Sequence, residues 1–294
     1  MNSGIVPETP SKSFAGRTRI LIEIDGQIEE TLSAEPVIRA LRSKRFPGRN
    51  AEISVIARDA GLFRNHPAVD RIADRMTVGD TDNYGLHYKL AGNASQRSIC
   101  LADRYAEQMG IDLDDHSPHI YLDSFDILRM QRFNIADSRR PKIVITAGSH
   151  DSSKLWDDAK WRELCEYLSG KSGADIIQLG PKGERFFGYG ANLIGRLDAR
   201  EAATMLKNSD LLLCVDNGYG CLAGAVGKAS VLIANADDVS SALTNSSAIV
   251  VGDQHGASVQ SRTLVKDIRI ESVLEGITQL CRRERSRMKA LSCA

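Results

Sequence analysis

The fold of this chain is constrained most by an alternation of short apolar segments with segments of helical periodicity, which occurs twice along the sequence. In the first half, residues 19–24 and 51–57 are apolar and rich in β-branched residues, as strands are. Between them, residues 36–42 place apolar side chains at helical spacing. Strand, helix and strand in succession form a βαβ unit, which implies a parallel sheet. A further helix is predicted over 95–109, ending at Gly110.

The alternation weakens over 111–140 and restarts at residue 142. Strands are predicted over 142–146, 175–179, 211–215 and 229–234, and helices over 158–168, 199–207, 220–226 and 270–291. These strands are apolar almost throughout, which is typical of a parallel sheet covered on both faces. We therefore predict an α/β protein of two doubly wound, Rossmann-like domains facing a central cleft. The predicted parts are a disordered leader (1–16), an N-terminal domain (17–138), a C-terminal domain (139–268) and a final helical segment (269–294).

Composition excludes several other classes of protein. Apolar residues make up 42% and charged residues 26%, as in ordinary globular proteins, which excludes wholesale disorder. Lys plus Arg and Asp plus Glu both number 38, so the whole chain has no net attraction to nucleic acid. The six cysteines lack a C-x-x-C pair, which argues against a zinc site or a disulfide scaffold. Short apolar runs and a leader without an apolar core predict a cytoplasmic protein.

Ligands of doubly wound folds bind beyond the carboxyl ends of the strands, and polar loops follow two of the predicted strands there. The loop after 142–146 contains Ser149, Ser152, Ser153 and Lys154, whose hydroxyl and ammonium groups suit a phosphate, although the P-loop pattern is absent. Glu184 follows the strand 175–179. Its carboxylate could accept hydrogen bonds from ribose hydroxyls, or it could lie in the first turn of a helix.

A third loop follows the strand 211–215. Asp216, Asn217 and Gly218 open a glycine-rich helix there, which lets the backbone approach a diphosphate. The spacing is not the dinucleotide fingerprint G-x-G-x-x-G, and the turn follows the third strand of its half. A dinucleotide-dependent oxidoreductase is therefore the weaker alternative, although Asp237 lies at a suitable distance.

Candidates for a general base lie in the first half. Asp25, Glu29 and Glu30 follow the strand 19–24, where a carboxylate could remove a proton from a hydroxyl group. An acidic turn exposed to solvent is an equally good interpretation. The run 112–119 contains acidic residues and histidines but follows a helix end, so we interpret it as a connector and predict no metal site.

Taken in order, these segments resemble glycosyltransferase family 9, the ADP-heptose:lipopolysaccharide heptosyltransferases. Lys154, Trp156 and Trp161 resemble the family pattern K-x-W-P-x-x-x-W-x-x-L. Residues 180–184, 192–209 and 215–218 follow in the family's order, and residues 31–42 and 62–72 are similar to its first domain. The resemblance spans roughly residues 19–235.

The resemblance implies a GT-B fold and inverting, metal-independent transfer of a heptose or related sugar from an ADP-heptose-like nucleotide sugar to a lipopolysaccharide-type or other saccharide acceptor. The acceptor would bind the N-terminal domain, to which the final helix would return. No separate cofactor and no nucleic acid are implied. We interpret the basic run 282–289 as the solvated end of a helix or, as the alternative, as a patch for peripheral contact with an anionic membrane, at the inner face of the inner membrane, or with a charged acceptor. The implied donor-binding residues are Ser149, Ser152, Ser153, Lys154, Glu184, Asp216, Asn217 and Gly218.

The chain also departs from the family. Counting back from Pro36, the family's catalytic Asp position falls on Glu30, which we predict to be the base acting together with Lys154. Counting from the strand instead leaves Asp25 as the alternative. The family's D-[TS]-G-x-x-H ends here at Cys221, so its histidine is lost, and its F-G-P-T-D-P segment is missing. A non-catalytic nucleotide-sugar-binding relative is therefore the alternative function.

Overall fold

The computed structural model describes residues 13–14, 17–73, 83–92, 100–133, 139–234, 248–251 and 264–283. The chain divides into two compact units, Met1–Asp123 and Ser124–Ala294. Each unit contains its own sheet and its own apolar core.

The sheet of the first unit is built around its second strand. Its strands are β1 (Ser13–Phe14), β2 (Arg17–Asp25), β3 (Ala51–Ala57), β4 (Arg71–Ile72) and β5 (Leu86–Ala91). β2 pairs in parallel with β3 and with β5, β4 extends the sheet beyond β3, and β1 is antiparallel to the start of β2. The chain therefore first builds the sheet outward on one side of β2 and then returns to its other side. This reversal between β2 and β5 is the topological switch point of the sheet.

The helices of the first unit are α1 (Ile28–Ala40), which continues into a π-helical turn (Leu41–Arg45), and α2 (Leu101–Met109). α1 begins eight residues before the predicted start, because the carboxylate of Glu30 accepts a hydrogen bond from the N–H of Gln27 at 2.7 Å and caps the helix. Pro36 consequently lies inside the helix and not in its first turn. α2 ends at Gly110 in the left-handed conformation, as predicted.

A buried carboxylate fixes α1 to the loops around it. Glu35 is 1% exposed and accepts hydrogen bonds from Arg39 Nε at 3.1 Å, His66 Nε2 at 2.8 Å and the N–H of His119 at 3.0 Å. Because His66 Nδ1 accepts from the N–H of Ala68, Nε2 carries the proton that is donated to Glu35. This network satisfies a charge that would otherwise be costly to bury.

The sheet of the second unit is parallel throughout the described strands, in the order β11-β10-β9-β6-β7-β8. The strands are β6 (Lys142–Thr146), β7 (Asp175–Leu179), β8 (Ala191–Asn192), β9 (Leu211–Val215), β10 (Ser230–Ile233) and β11 (Ala248–Val251). The chain runs outward from β6 to β8 and then crosses to the other side of β6. The switch point of this sheet therefore lies between β6 and β9.

Five described helices belong to the second unit, and those over Asp158–Gly170 and Ile270–Arg283 contribute side chains to the apolar core of its sheet. The five helices are α3 (Ser124–Met130), α4 (Asp158–Gly170), α5 (Ala199–Lys207), α6 (Gly218–Ala225) and α7 (Ile270–Arg283). Trp156 and Trp161 pack edge to face in this core, with ring centroids 5.0 Å apart. The described cysteines are free thiols, and all except Cys100 are buried.

The units differ from the predicted domains in three places. The division falls at 123/124 and not at 138/139, because Asp126 on α3 pairs with Arg200 on α5 at 2.7 Å, with both side chains 3% exposed. α7 contributes Val273 and Ile277 to the core of the second unit, beyond the predicted end of the C-terminal domain at residue 268. The return of the final segment to the N-terminal domain stays a prediction, and its residues 284–294 lie outside the described residues. Within the predicted disordered leader, residues 13–14 form β1, and residues 1–12 and 15–16 lie outside the described residues.

The buried Asp126–Arg200 pair should be essential to the second unit. Asp126→Ala leaves the guanidinium of Arg200 buried without its carboxylate, which should lower the free energy of unfolding by about 3–5 kcal/mol. Trp156 and Trp161 are the two tryptophans of the chain and both lie in this unit, so urea unfolding followed by tryptophan fluorescence measures its stability.

The matched control is Asp158→Ala, which removes an ion pair with Arg185 whose side chains are 54% and 64% exposed. Exposed pairs contribute at most about 1 kcal/mol. Equal losses in the two variants would contradict the role assigned to the buried pair.

Candidate functional site

Two polar loops meet at the switch point of the second sheet, where β6 and β9 end. Asn217 Nδ2 donates to the carbonyl oxygen of Gly148 at 2.8 Å and to Thr146 Oγ1 at 3.3 Å. Its Oδ1 accepts from the N–H of Tyr219 at 3.1 Å, so the same side chain caps α6. Asn217 therefore fixes the start of α6 against the loop that follows β6.

An ion pair spans the same switch point. Lys154 Nζ donates to the carboxylate of Asp216, and the two side chains are 27% and 4% exposed. Asp216 also accepts a hydrogen bond at its backbone oxygen from Ser149 Oγ at 3.3 Å. The largely buried carboxylate thus holds an ammonium group, still partly open to solvent, beside the start of α6.

Lys154 is oriented by a 3-10 turn, Ser152–Lys154, that Asp151 caps. Asp151 Oδ1 accepts from the N–H of Ser153 at 3.0 Å and from Ser153 Oγ at 2.7 Å. Ser152 and Ser153 are exposed on this turn. The hydroxyl group of Ser153 is thus committed to Asp151.

Glu184 occupies a space that two glycines create. Gly148 follows β6 and Gly180 follows β7, and a Cβ atom on either glycine would overlap the Glu184 carboxyl group. Glu184 lies in a turn and not in the first turn of a helix, so that alternative interpretation is wrong. Burial raises the pKa of the Glu184 carboxyl group from 4.5 to about 7. A hydrogen bond from the backbone of Gly148 lowers the pKa, but by less than burial raises it. Within the described residues its Oε2 atom is buried without a hydrogen-bond partner.

The structure therefore brings Ser149 and Lys154 into contact with Asp216, and both Asn217 and Glu184 contact the backbone of Gly148. Gly218 is the first residue of α6 and is buried. Sequence reasoning missed three participants: Thr146, Gly148 and Gly180. The available signal was that these residues lie at the ends of apolar strands or just after them. A glycine at such a place lets a ligand or a carboxyl group approach the backbone.

In the first unit, Glu30 occupies a corresponding place between β2 and β5. A Cβ atom on Gly26 would lie 2.5 Å from Glu30 Cγ, and one on Gly92 would lie 2.8 Å from Glu30 Oε1. Gly26 follows β2 and Gly92 follows β5, so Glu30 lies at the switch point of this sheet. Asp25, the alternative base, is the last residue of β2 and lines a cavity that Gly26 also lines.

Other sequence predictions concern metals and membranes. Across the described ranges, no three His, Cys, Asp or Glu side chains lie close enough together to hold a metal ion. No helix in the part of the chain that the structure describes is long and apolar enough to cross a membrane. The basic run 282–289 lies outside the described residues from 284 onward.

Solved structures with the same fold define the class of protein. E. coli ADP-heptose lps heptosyltransferase II matches with a TM-score of 0.72 and 15% identity, over 92% of this chain and 100% of that one. A glycosyl transferase family 9 protein from Veillonella parvula DSM 2008 matches with a TM-score of 0.69 and 13% identity, over 90% of this chain and 98% of that one. A third match is the dodecameric iron-containing heptosyltransferase TibC of enterotoxigenic E. coli, in complex with ADP-D-beta-D-heptose. Its TM-score is 0.62 and its identity 15%, over 91% of this chain and 77% of that one. The fold is that of the GT-B glycosyltransferases, as predicted.

The family profile described as glycosyltransferase family 9 (heptosyltransferase) matches residues 87–266, more than half of the chain. The chain belongs to this family and is a glycosyltransferase, which confirms the predicted resemblance. A comparison with curated protein sequences gave no match.

The buried carboxyl group of Glu184 should make the second unit less stable at high pH. Its pKa in the folded chain, about 7, exceeds its ordinary value of 4.5, so the folded state binds the proton more tightly. The stabilisation from this group is complete below about pH 4.5 and is lost as the pH rises through about 7. Glu184→Gln keeps an acceptor for Gly148 but cannot ionise. It should raise the thermal unfolding midpoint relative to wild type at pH 8, and the gain should shrink toward pH 5.

Tryptophan fluorescence melting between pH 4.5 and 8.5 measures this difference, with Glu163→Gln on the exposed face of α4 as the control. A wild-type chain and a Glu184→Gln variant with the same pH profile would refute the raised pKa.

Proposed function

We propose that this glycosyltransferase moves a heptose or a related sugar from an ADP-sugar donor to a saccharide or lipid-linked saccharide acceptor, with inversion and without a metal ion. The observation that carries the proposal is the convergence of Lys154, Asp216, Asn217 and Glu184 at the switch point of the second sheet. Doubly wound sheets bind their ligands at this place.

The donor diphosphate fits the positive end of this site. The positive end of the α6 dipole and the ammonium group of Lys154 both favour a negative charge, and Ser152 offers a hydroxyl donor. The hydroxyl proton of Ser149 is donated to the backbone oxygen of Asp216. Asp216 keeps Lys154 in place before the ligand arrives, so little ordering of the long side chain remains to be done on binding.

Glu184 is suited to the nucleoside part of the donor. Its Oε2 atom lacks a partner in the described structure, and a ribose hydroxyl would supply the missing hydrogen bond. A ligand that donates this bond would also lower the pKa of Glu184, because hydrogen bonds to a carboxylate favour its charged form. That ADP is the nucleotide is inferred from TibC, whose structure contains ADP-D-beta-D-heptose.

In the proposed reaction an acceptor hydroxyl oxygen attacks the anomeric carbon of the donor sugar. The bond from that carbon to the diphosphate oxygen breaks, and the configuration inverts because the displacement is a single step. Glu30 takes the proton of the attacking hydroxyl group. Lys154 and the positive end of the α6 dipole stabilise the charge on the leaving ADP, which is the task that a metal ion would otherwise perform.

The remaining predictions belong to the same proposal. We infer that the acceptor binds the first unit, that the protein is cytoplasmic, and that the basic run 282–289 contacts an anionic membrane peripherally. A lipid-linked acceptor would be found at such a surface.

A second function, nucleotide-sugar binding without turnover, is favoured by one observation. Glu30 Oε2 already caps α1, so the predicted base also has a structural role. ADP release from ADP-heptose, measured with and without saccharide acceptors, separates the two functions. Acceptor-dependent release supports transfer, whereas tight ADP binding without release supports the non-catalytic relative.

Loss of the Lys154 ammonium group should weaken ADP binding. Lys154→Ala removes a charge-assisted hydrogen bond, so the binding of ADP should become less favourable by about 1.5–3 kcal/mol. Isothermal titration calorimetry with ADP measures this change. Lys171→Ala, at the far end of α4, is the control and should leave the affinity unchanged. An unchanged affinity in Lys154→Ala would refute the assigned diphosphate site.

Neutralising the predicted base should stop turnover and leave the donor bound. Glu30→Gln keeps an oxygen that can accept from the N–H of Gln27, so the helix cap survives while the base is lost. The turnover number should drop by about a hundredfold or more. ADP affinity should change little, because the donor-binding residues lie in the second unit.

The comparison variant is Asp25→Asn, which tests the other alignment of the acidic residue. A turnover number, measured at saturating acceptor, that is lost in Asp25→Asn but kept in Glu30→Gln would show that Asp25 is the base. Full turnover in both variants would argue against a carboxylate base in this loop.

A further inference from the structure

A cavity of about 420 Å³ lies at the carboxyl ends of β2 and β3, and its volume is within the range of small-molecule sites. Its apolar wall consists of Ile24, Ile56, Ala57 and Ala73. Two charged side chains, Asp25 and Arg58, line the same cavity. Both are exposed at the ends of neighbouring parallel strands, since Ile24 and Ala57 are direct partners in the ladder.

The cavity is linked to Glu30 by two hydrogen bonds. Arg58 Nη1 donates to Gln27 Oε1 at 3.0 Å, and the N–H of Gln27 donates to Glu30 Oε2 at 2.7 Å. Gly26 lines the cavity and also lies against the side chain of Glu30. A molecule bound in the cavity would therefore lie beside the residue that we propose as the base.

The charges of the lining indicate which kind of molecule fits. Asp25 contributes one negative charge and Arg58 one positive charge, while Glu29 and Glu30 add negative charge in the first turn of α1. An acidic ligand would be repelled by three carboxylates and attracted by one guanidinium group. A neutral ligand with several hydroxyl groups can donate to Asp25 and accept from Arg58. Its C–H groups can pack on the apolar wall.

We propose that this cavity binds a sugar unit of the acceptor that carries no negative charge, with Asp25 and Arg58 as specificity-determining residues. As an acceptor site, it rests on the function proposed above. The binding of a neutral sugar, however, is a property of the first unit that can be measured without donor or turnover.

The test uses the full chain and three monosaccharide probes: methyl α-D-mannopyranoside, which is neutral, D-glucuronate, which is acidic, and D-glucosamine, which is cationic. Saturation-transfer NMR titrations give their dissociation constants. The neutral and the cationic probe should both bind more tightly than glucuronate, because three carboxylates and one guanidinium group surround the cavity. Arg58→Ala and the nearly isosteric Asp25→Asn should each raise the dissociation constant of the neutral probe by about tenfold or more. Arg17→Ala, at the opposite end of β2, should not change it, and circular dichroism melting confirms that each variant is folded.

Three results would overturn the inference: no binding of the neutral probe, tighter binding of glucuronate than of the neutral probe, or unchanged binding of the neutral probe in both cavity variants. ADP titrations on the same samples keep the two proposals apart. A chain that binds ADP but not the neutral probe overturns the cavity assignment alone. A chain that binds the probe but neither binds ADP nor releases it from ADP-heptose overturns the proposed function alone.

Discussion

The register of β6 between its two neighbours is the constraint on which the second unit depends. Thr146 is paired with Leu179 of β7 on one side and with Cys214 of β9 on the other. Three loops therefore leave the sheet side by side, although their residues are about 30 positions apart in the chain. The contacts of Asn217 with Gly148 and of Lys154 with Asp216 follow from this ladder.

The two units share one arrangement at their strand ends. In each, a glutamate side chain fits beside two glycines that follow neighbouring strands: Glu30 beside Gly26 and Gly92, and Glu184 beside Gly148 and Gly180. The electrostatic outcomes differ. Glu30 Oε2 accepts a backbone N–H, whereas Glu184 Oε2 is buried without a partner in the described residues, and burial raises the pKa of its carboxyl group. The unpartnered oxygen makes the second unit the better place for an incoming hydroxyl donor.

The sequence pattern predicted the elements in which the apolar side chains are the buried ones. Four strands have the predicted bounds, because short runs of apolar and β-branched residues are typical of buried strands. They are Ala51–Ala57, Lys142–Thr146, Asp175–Leu179 and Leu211–Val215. α3 was missed because its hydropathy is reversed: Asp126 is buried against Arg200, while Phe125 is 72% exposed. No local pattern could indicate the surroundings of Glu184, because they require Gly148, which lies 36 residues earlier and meets Glu184 only through the ladder.

Glu30, which the alignment from Pro36 predicts to replace the family's Asp, has a structural role that is compatible with the proposed catalysis. A glutamate at the third position of a helix can reach back to the N–H of the capping residue, and Glu30 does so with Oε2. Its other oxygen, Oε1, then lies toward Gly92 at the end of β5. One carboxylate can thus cap α1 with one oxygen and present the second at the switch point of the sheet, where a hydroxyl group could be deprotonated. An aspartate is one methylene shorter, so it would reach less far into this space. The residue type at position 30 therefore does not by itself argue for a non-catalytic protein.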